Sequence, residues 1–250
     1  MRFGLCTISA KESGVETVLS QAADAGYDGV EVWGGHVEPG ETDPDSVRKT
    51  AASLGLAIPV YGSYLRPGTD GFEENLPIAL DTADALGADL IRIWAGEQEY
   101  GNHDDAHWER VVSDLRTLTA AANDYDIGVT VEKHEGSLTN RTEGARRLIE
   151  TIDDARCGLN WQPLFGMSPE SIRREARELA PLSNNIHVQA VPERGGATRC
   201  SLAGAFFDVG ECLAAFEAAG FSGFVNVEFV RDDAPYEDAV FDDLTYLSSL

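Results

Sequence analysis

Two apolar runs in this chain end in groups that can move protons or hold a metal. Val129-Thr-Val-Glu-Lys-His134 closes on a carboxylate and an imidazole, and Phe224-Val-Asn-Val-Glu-Phe-Val230 delivers Glu228 from the far end of the sequence. A strand that keeps its polar residue for its C-terminal end aims that residue into a mouth, and in a closed parallel barrel all such mouths open on one face. Other short β-rich runs add to the inventory. Glu31 and Trp33, with His36 just beyond, end one; Arg92, Trp94 and Glu97 end another; Asn160 and Gln162, then His187 and Gln189, end two more. Two carboxylates, an imidazole and an amide oxygen meeting at one mouth suit Mn²⁺, Mg²⁺, Co²⁺ or Zn²⁺. Such an ion polarises a carbonyl while Glu132 and Glu228 carry the proton beside it.

The elements that must position these groups follow a repeated phrase. Ala25-Gly-Tyr-Asp-Gly-Val-Glu-Val-Trp33 and Ala219-Gly-Phe-Ser-Gly-Phe-Val-Asn-Val-Glu-Phe229 both read as helix end, glycine, turn and buried strand. Shorter versions begin at Leu54, Leu86 and Ile127; with 3–8, 158–161 and 185–188 they make eight candidate strands. Amphipathic stretches at about 12–25, 43–54, 72–86, 105–123, 142–152, 169–180, 208–219 and 234–248 alternate with them. Asp43-Pro44 and Ser168-Pro169 have the form of an N-cap followed by proline in the first turn. Strand and helix alternating eight times predict a single (β/α)₈ barrel spanning 1–250 as one domain. An open doubly wound sheet is the runner-up, but no Gly-x-Gly-x-x-Gly follows any strand. The longest loops, 95–104 and 189–207, both follow strands and fall on the expected active face.

Charge narrows the function classes. Against 43 acidic residues stand 19 basic ones, for a formal charge of −24, and Lys11, Lys49 and Lys133 are the only lysines. An acidic, lysine-poor surface suits concentrated salt, where self-repulsion is screened, and points to a halophilic source. It argues against a nucleic-acid surface, which needs patches of Lys and Arg. Cys6, Cys157, Cys200 and Cys212 form no Cys-x-x-Cys pair, as expected of thiols in a reducing compartment. Neither a signal peptide nor an apolar run of membrane-spanning length stands out, so the expectation is a cytoplasmic protein without a membrane partner.

Taken together, the strand-end motifs resemble those of the xylose isomerase-like barrels, a group of sugar isomerases and epimerases, inosose-processing enzymes and apurinic endonucleases, and the composition adds a haloarchaeal cast. Glu132-Lys-His134-Glu-Gly-Ser-Leu-Thr-Asn140 looks like the family's Glu-Asn-His segment. Gly158-Leu-Asn-Trp-Gln-Pro163 is similar to the strand that usually ends in a metal-binding Asp. Asn185-Ile-His-Val-Gln-Ala190 sits where His-x-Lys-Asp is expected, and Gly220 to Glu228 is like the last strand. The resemblance implies four metal ligands: Glu132, Gln162, His187 and Glu228. Gln162 departs from the usual Asp and brings no charge, which weakens a divalent metal's hold. Ala190 replaces the Asp of His-x-Lys-Asp, and Phe165 and Leu138 stand where the ketose 3-epimerase branch grips substrate hydroxyls with His and Glu, so that grip is not preserved.

The remaining candidates face substrate. His134 and Arg92 would orient its oxygens, and Trp33, Trp94, Trp161 and Phe165 offer a wall against which a sugar ring stacks. Arg194 and Arg199, in the loop after the seventh strand, suit a phosphate or carboxylate, although solvated surface arginine is the ordinary case. His103 and His107 have helical spacing without the glutamate of a zinc motif. The blander account makes Glu132 and Glu228 a buried structural pair matched to Arg92 or His134, and His187 a satisfied core histidine. The expected activity is metal-assisted isomerisation or epimerisation of a small polyhydroxylated carbonyl compound by a possible homodimer. A lyase or dehydratase of a keto-inositol or oxidised sugar, a metal-free sugar-binding member, and abasic-site repair are its rivals. One consequence of the charge is directly measurable: the thermal midpoint should climb with KCl and the fold should weaken below about 1 M, where the repulsion is poorly screened. A midpoint that stays flat from low to high salt contradicts salt adaptation.

Overall fold

A computed structural model describes residues 1–38, 40 and 42–250. Eight strands close into a parallel barrel in sequence order, each bonded to the next and the eighth to the first. They are β1 (Arg2–Cys6), β2 (Gly29–Trp33), β3 (Ala57–Gly62), β4 (Leu90–Ile93), β5 (Gly128–Glu132), β6 (Cys157–Trp161), β7 (Ser183–Val188) and β8 (Phe224–Val227). The helices around them are α1 (Val15–Ala25), α2 (Pro44–Ser53), α3 (Phe72–Leu86), α4 (Asp105–Asn123), α5 (Thr142–Ile152), α6 (Pro169–Leu179), α7 (Val209–Ala218) and α8 (Tyr236–Ser248). This is a single (β/α)₈ barrel, as the alternating pattern predicts.

Local chemistry explains the boundaries. The Asp43 and Ser168 side chains accept hydrogen bonds from the Asp45 and Ser171 backbone N–H groups, capping α2 and α6 just ahead of their prolines. Gly26 ends α1 at φ 99°, a left-handed residue whose N–H closes onto Ala22 and Ala23. Several ends differ from the sequence reading, two of them near the start of the chain. The expected first strand stops at Cys6 because Thr7–Ala10 tightens into a 3₁₀ turn. The expected first helix begins at Val15 because Gly14 supplies an extended N-cap residue.

The two faces of each strand divide the core. Val30, Val32, Val129, Val131, Leu159, Ile186, Val225 and Val227 are fully buried and belong to the apolar core. The barrel interior instead carries polar groups and glycines. Asn226 Nδ2 donates to Asn185 Oδ1 at 2.9 Å, and Asn185 Nδ2 donates to Asn160 Oδ1 at 3.0 Å, so three strands share a ladder of amides. Gly4 is required beside it, because a Cβ there would lie 1.9 Å from Asn226 Oδ1. Among the described residues all four cysteines are free, and no helix is long and apolar enough to cross a membrane.

β5 is anchored from behind. Lys133 alternates away from its neighbours Glu132 and His134, and its ammonium meets Glu175 of α6 at 3.1 Å; both side chains are essentially inaccessible to water. Thr142, at the start of α5, donates to the other Glu175 oxygen at 2.6 Å. Burial pushes the Lys133 ammonium down, and Glu175 opposes that shift. Removing one partner of such a pair strands the other charge, whereas replacing both does not. Lys133→Met should therefore cost about 3–5 kcal/mol in chemical denaturation, while Lys133→Met/Glu175→Leu should recover most of the loss. Equal losses in the two variants would show that the pair does not couple β5 to α6.

Candidate active site at the C-terminal mouth

The site is built around one guanidinium. Arg92, at the end of β4, donates from Nε to Glu31 Oε1 at 2.9 Å and from Nη1 to Glu132 Oε2. It reaches both carboxylates because β3 ends in glycine: a Cβ on Gly62 would sit 2.7 Å from Arg92 Nη2 and 3.1 Å from Glu31 Oε1. Glu31 Oε2 meets His187 Nε2 at 2.7 Å and accepts a longer bond from Asn185 at 3.3 Å. Burial works against the Glu31 charge, but His187 and Arg92 outweigh it and hold the carboxyl at about 2. Burial likewise opposes the His187 cation, yet Glu31 and Glu228 together leave the imidazole above its ordinary value.

Glu132 is gripped at both oxygens. Oε2 accepts from Arg92 and from Trp94 Nε1 at 2.6 Å, and Oε1 accepts from Gln162 Nε2 at 2.8 Å. Thr139 Oγ1 secures the Glu132 carbonyl at 2.6 Å, so the loop after β5 is tied to the same residue. Glu228 is held less completely. Gln189 Nε2 donates to its Oε2 at 2.5 Å, whereas Oε1 lies 3.7 Å from His187 Nδ1. Burial and the neighbouring Glu132 push the Glu228 carboxyl up, against the pull of His187.

Three of the four expected ligands converge. Glu132, His187 and Glu228 each offer an atom within 4.8 Å of the others. His187 Nδ1 is buried and has no hydrogen-bond partner, which is what a ligand nitrogen requires when its other ring nitrogen is held by a carboxylate. Two carboxylates and an imidazole form a donor set that fits a divalent cation. Gln162 behaves differently from the sequence expectation. Its NH₂ faces two acceptors, Glu132 and the Lys133 carbonyl, and its oxygen accepts from Gln189 at 2.9 Å. Turning the oxygen inward would set it against both acceptors, so Gln162 enters the site as a donor to Glu132.

The substrate-facing candidates divide. Arg92 lies beneath the carboxylates, 5% exposed, and acts as their bridge. Trp161 is 1% exposed and packs on Phe216 of α7 at 5.1 Å between ring centroids, which removes it from the wall. Trp33 and Trp94 do stand at the mouth, joined by Tyr64: the centroid steps Trp33–Tyr64, Tyr64–Trp94 and Trp94–His134 are 6.3, 5.9 and 5.6 Å. His134 bonds through Nδ1 to the Glu135 carbonyl. Facing this arc is a pocket of about 360 Å³, lined among others by His134, Gln162, Phe165, Gln189 and Arg199. His103 and His107 are engaged with backbone near the start of α4, away from this chemistry.

Sequence reasoning noted Glu31 and Gln189 at strand ends but gave them no role. The signal for Glu31 was present, since Gly29-Val-Glu-Val-Trp33 has the same strand-end carboxylate as β5 and β8. Cys6, whose Sγ lies 3.6 Å from His187 Nε2, and Tyr64, on an exposed loop, carried none.

The Xylose isomerase-like TIM barrel family model matches residues 19–250, and the chain belongs to that family. No curated protein matches it. Among solved structures, a probable 3-DHS dehydratase involved in petrobactin synthesis in Bacillus anthracis superposes with a TM-score of 0.83 at 18% identity, over 99% of each chain. A xylose isomerase-like TIM barrel/4-hydroxyphenylpyruvate dioxygenase fusion protein gives 0.81 at 23% identity, over 98% of this chain and 41% of the fusion. The 3-keto-D-glucoside 4-epimerase of E. coli gives 0.79 at 18% identity, over 100% of each. At these identities the likeness establishes the shared scaffold.

The geometry makes Glu31 the residue that fixes the His187 ring. Glu31→Gln should reduce divalent-metal affinity about 10–100-fold, the usual cost of losing such an outer partner. Titration of Mn²⁺ into the two proteins checks this, and unchanged affinity would separate Glu31 from the ligand set.

Proposed function

We propose that the protein is a metal-assisted isomerase or epimerase acting on a small sugar, sugar derivative or keto-polyol. It would move a proton at the carbon beside the carbonyl through an enediolate. The observation that carries this reading is the meeting of Glu132, Glu228 and the unpartnered Nδ1 of His187 at one buried point of the mouth. A divalent ion held by these three residues supplies Lewis acidity. Glu228, whose Oε1 accepts no hydrogen bond, is assigned the removal of the proton, and Glu132, entering the step with a proton of its own, would deliver one to the enediolate, so that the two carboxyls exchange protonation states. Arg92 and Trp94 keep the Glu132 carboxyl group aimed, while the arc of Trp33, Tyr64 and Trp94 gives the carbon skeleton a surface. The proposal extends to a cytoplasmic, salt-adapted protein of a haloarchaeal cell, a possible homodimer, with neither nucleic acid nor membrane as partner; its charge of −24 supports the former exclusion.

Two rival readings rest on specific observations. The structural likeness to a probable dehydratase favours a lyase, in which the same proton removal is followed by loss of a hydroxyl. The donation of Gln162 to Glu132 favours a metal-free binding protein, because Arg92 and Gln162 already satisfy the carboxylate.

Metal analysis of protein purified in high salt without chelator separates these readings, with Glu132→Ala/Glu228→Ala as the control. About one Mn, Zn, Co or Mg per wild-type chain, lost from the variant, is the expected result. Absence of metal from the wild type even after soaking with Mn²⁺ would sink the metal-assisted mechanism. On a panel of ketoses and keto-inositols in D₂O, Glu228→Gln should then slow deuterium uptake beside the carbonyl by about 10²–10⁴-fold. An absorbing enone among the products would identify the lyase.

A further inference from the structure

Arg199 lines the pocket that reaches Gln162 and Gln189, the amides bonded to Glu132 and Glu228, yet it makes no ion pair among the described residues. Its guanidinium carbon lies 5.2 Å from the Phe165 ring centroid and 5.0 Å from that of Phe229. Two aromatic faces thus hold the side chain in place, and it is partly buried. Several arginines on this acidic chain find carboxylates, as Arg48 does with Asp45, Arg173 with Glu211 and Arg231 with Asp242, and what sets Arg199 apart from the other unpaired ones is that it lines the pocket. The charges that most influence Arg199 belong to Glu228 and Asp232, but neither forms an ion pair with it.

The surrounding loops are fixed as well. The Gly195 N–H donates to the Phe165 carbonyl at 2.8 Å, and Arg194 Nε donates to the Gly166 carbonyl at 2.8 Å, lacing the loop after β7 onto the loop after β6. Behind Arg199, the Cys200 and Phe206 N–H groups return to the Ala190 and Val191 carbonyls, and Leu202 N–H is held by Asp243 at 2.8 Å. The pocket's floor is Gln162 and Gln189, which touch Glu132 and Glu228, and its wall carries Arg199. Its volume of about 360 Å³ suits a small compound spanning floor and wall.

We infer that the substrate is an acid: a polyhydroxylated carbonyl compound whose carboxylate or phosphate is received by Arg199 while its carbonyl end lies over Glu132 and Glu228. The inference rests on the function proposed above and adds the charge of its substrate. A guanidinium without a carboxylate partner, held by aromatic faces in a pocket, offers paired donors to either anion. The acidic surface does not oppose this in concentrated salt. The Debye length is then only about 3 Å at 1 M, so distant repulsion fades and the direct contact decides.

The test compares three probes of similar size by calorimetric titration in one high-salt buffer: 2-keto-D-gluconate, D-fructose 6-phosphate and D-fructose. Wild-type protein should bind at least one of the two anions about tenfold more tightly than the neutral ketose. Arg199→Gln should erase that advantage and leave D-fructose affinity within twofold, while Arg199→Lys should restore part of it. Preference for the keto acid or for the phosphate identifies the anion. Equal binding of all three probes to wild type, failure of both anions to bind, or anion affinity unchanged in Arg199→Gln would each overturn the inference. Metal content and deuterium uptake report separately on the proposed function. Arg199-dependent anion binding without metal would leave an acid-binding protein, and metal-dependent exchange on neutral ketoses alone would leave the isomerase without its acidic substrate.

Discussion

The buried bridge Glu31–Arg92–Glu132 is the constraint to which the mouth of this barrel answers. A guanidinium enclosed in protein must be matched by carboxylates, and each carboxylate must find further donors or be costly to bury. From that requirement follow the glycine at the end of β3, the turn of Trp94 Nε1 toward Glu132, and the bond between Glu31 and His187. Because Arg92 spans two carboxylates, the geometry of β2, β4 and β5 at this end is set together. Gln162 and Gln189 carry that geometry on to Glu228, the residue after β8. The candidate chemistry is thus held by a network of side chains from the ends of the strands.

Much of this was legible in the sequence because the same local rule recurs. Glycine-led turns into β-branched strands mark the repeat, and helices α3, α4 and α5 begin and end where periodicity places them. Strand-end polarity located Glu132, His187 and Glu228, because alternation along a strand decides which residues face the interior. What escaped is pairwise and long-range. Gln162 reads as an amide at a ligand position, but the direction of its NH₂ depends on the Lys133 carbonyl and on Gln189, which arrive from other strands. Trp161 reads as an aromatic at a strand end, yet one residue's difference in register sends it outward onto Phe216. Arg92 reads as a free cation facing substrate until its two carboxylates are seen together.

The site and the surface obey different electrostatics. Outside, acidic residues outnumber basic ones by 43 to 19, so most surface carboxylates have no basic partner to pair with. Inside, the charges are paired at close range, with Arg92 bridging Glu31 and Glu132 and His187 set between Glu31 and Glu228. Dissolved ions screen the exposed charges but have little access to this buried arrangement, so the two can be altered almost separately.

The amide ladder beneath the site has an evolutionary consequence. Asn226 donates to Asn185, and Asn185 donates both to Asn160 and toward Glu31, so the hydrogen bonds run across three strands in one sense. An apolar residue at the Asn185 position would orphan groups on both sides, and a larger residue at Gly4 would collide with Asn226. Positions 4, 160, 185 and 226 therefore form a unit of inheritance: drift at one is penalised until the others follow, and departures should arise as concerted replacements that trade the whole polar layer for an apolar one.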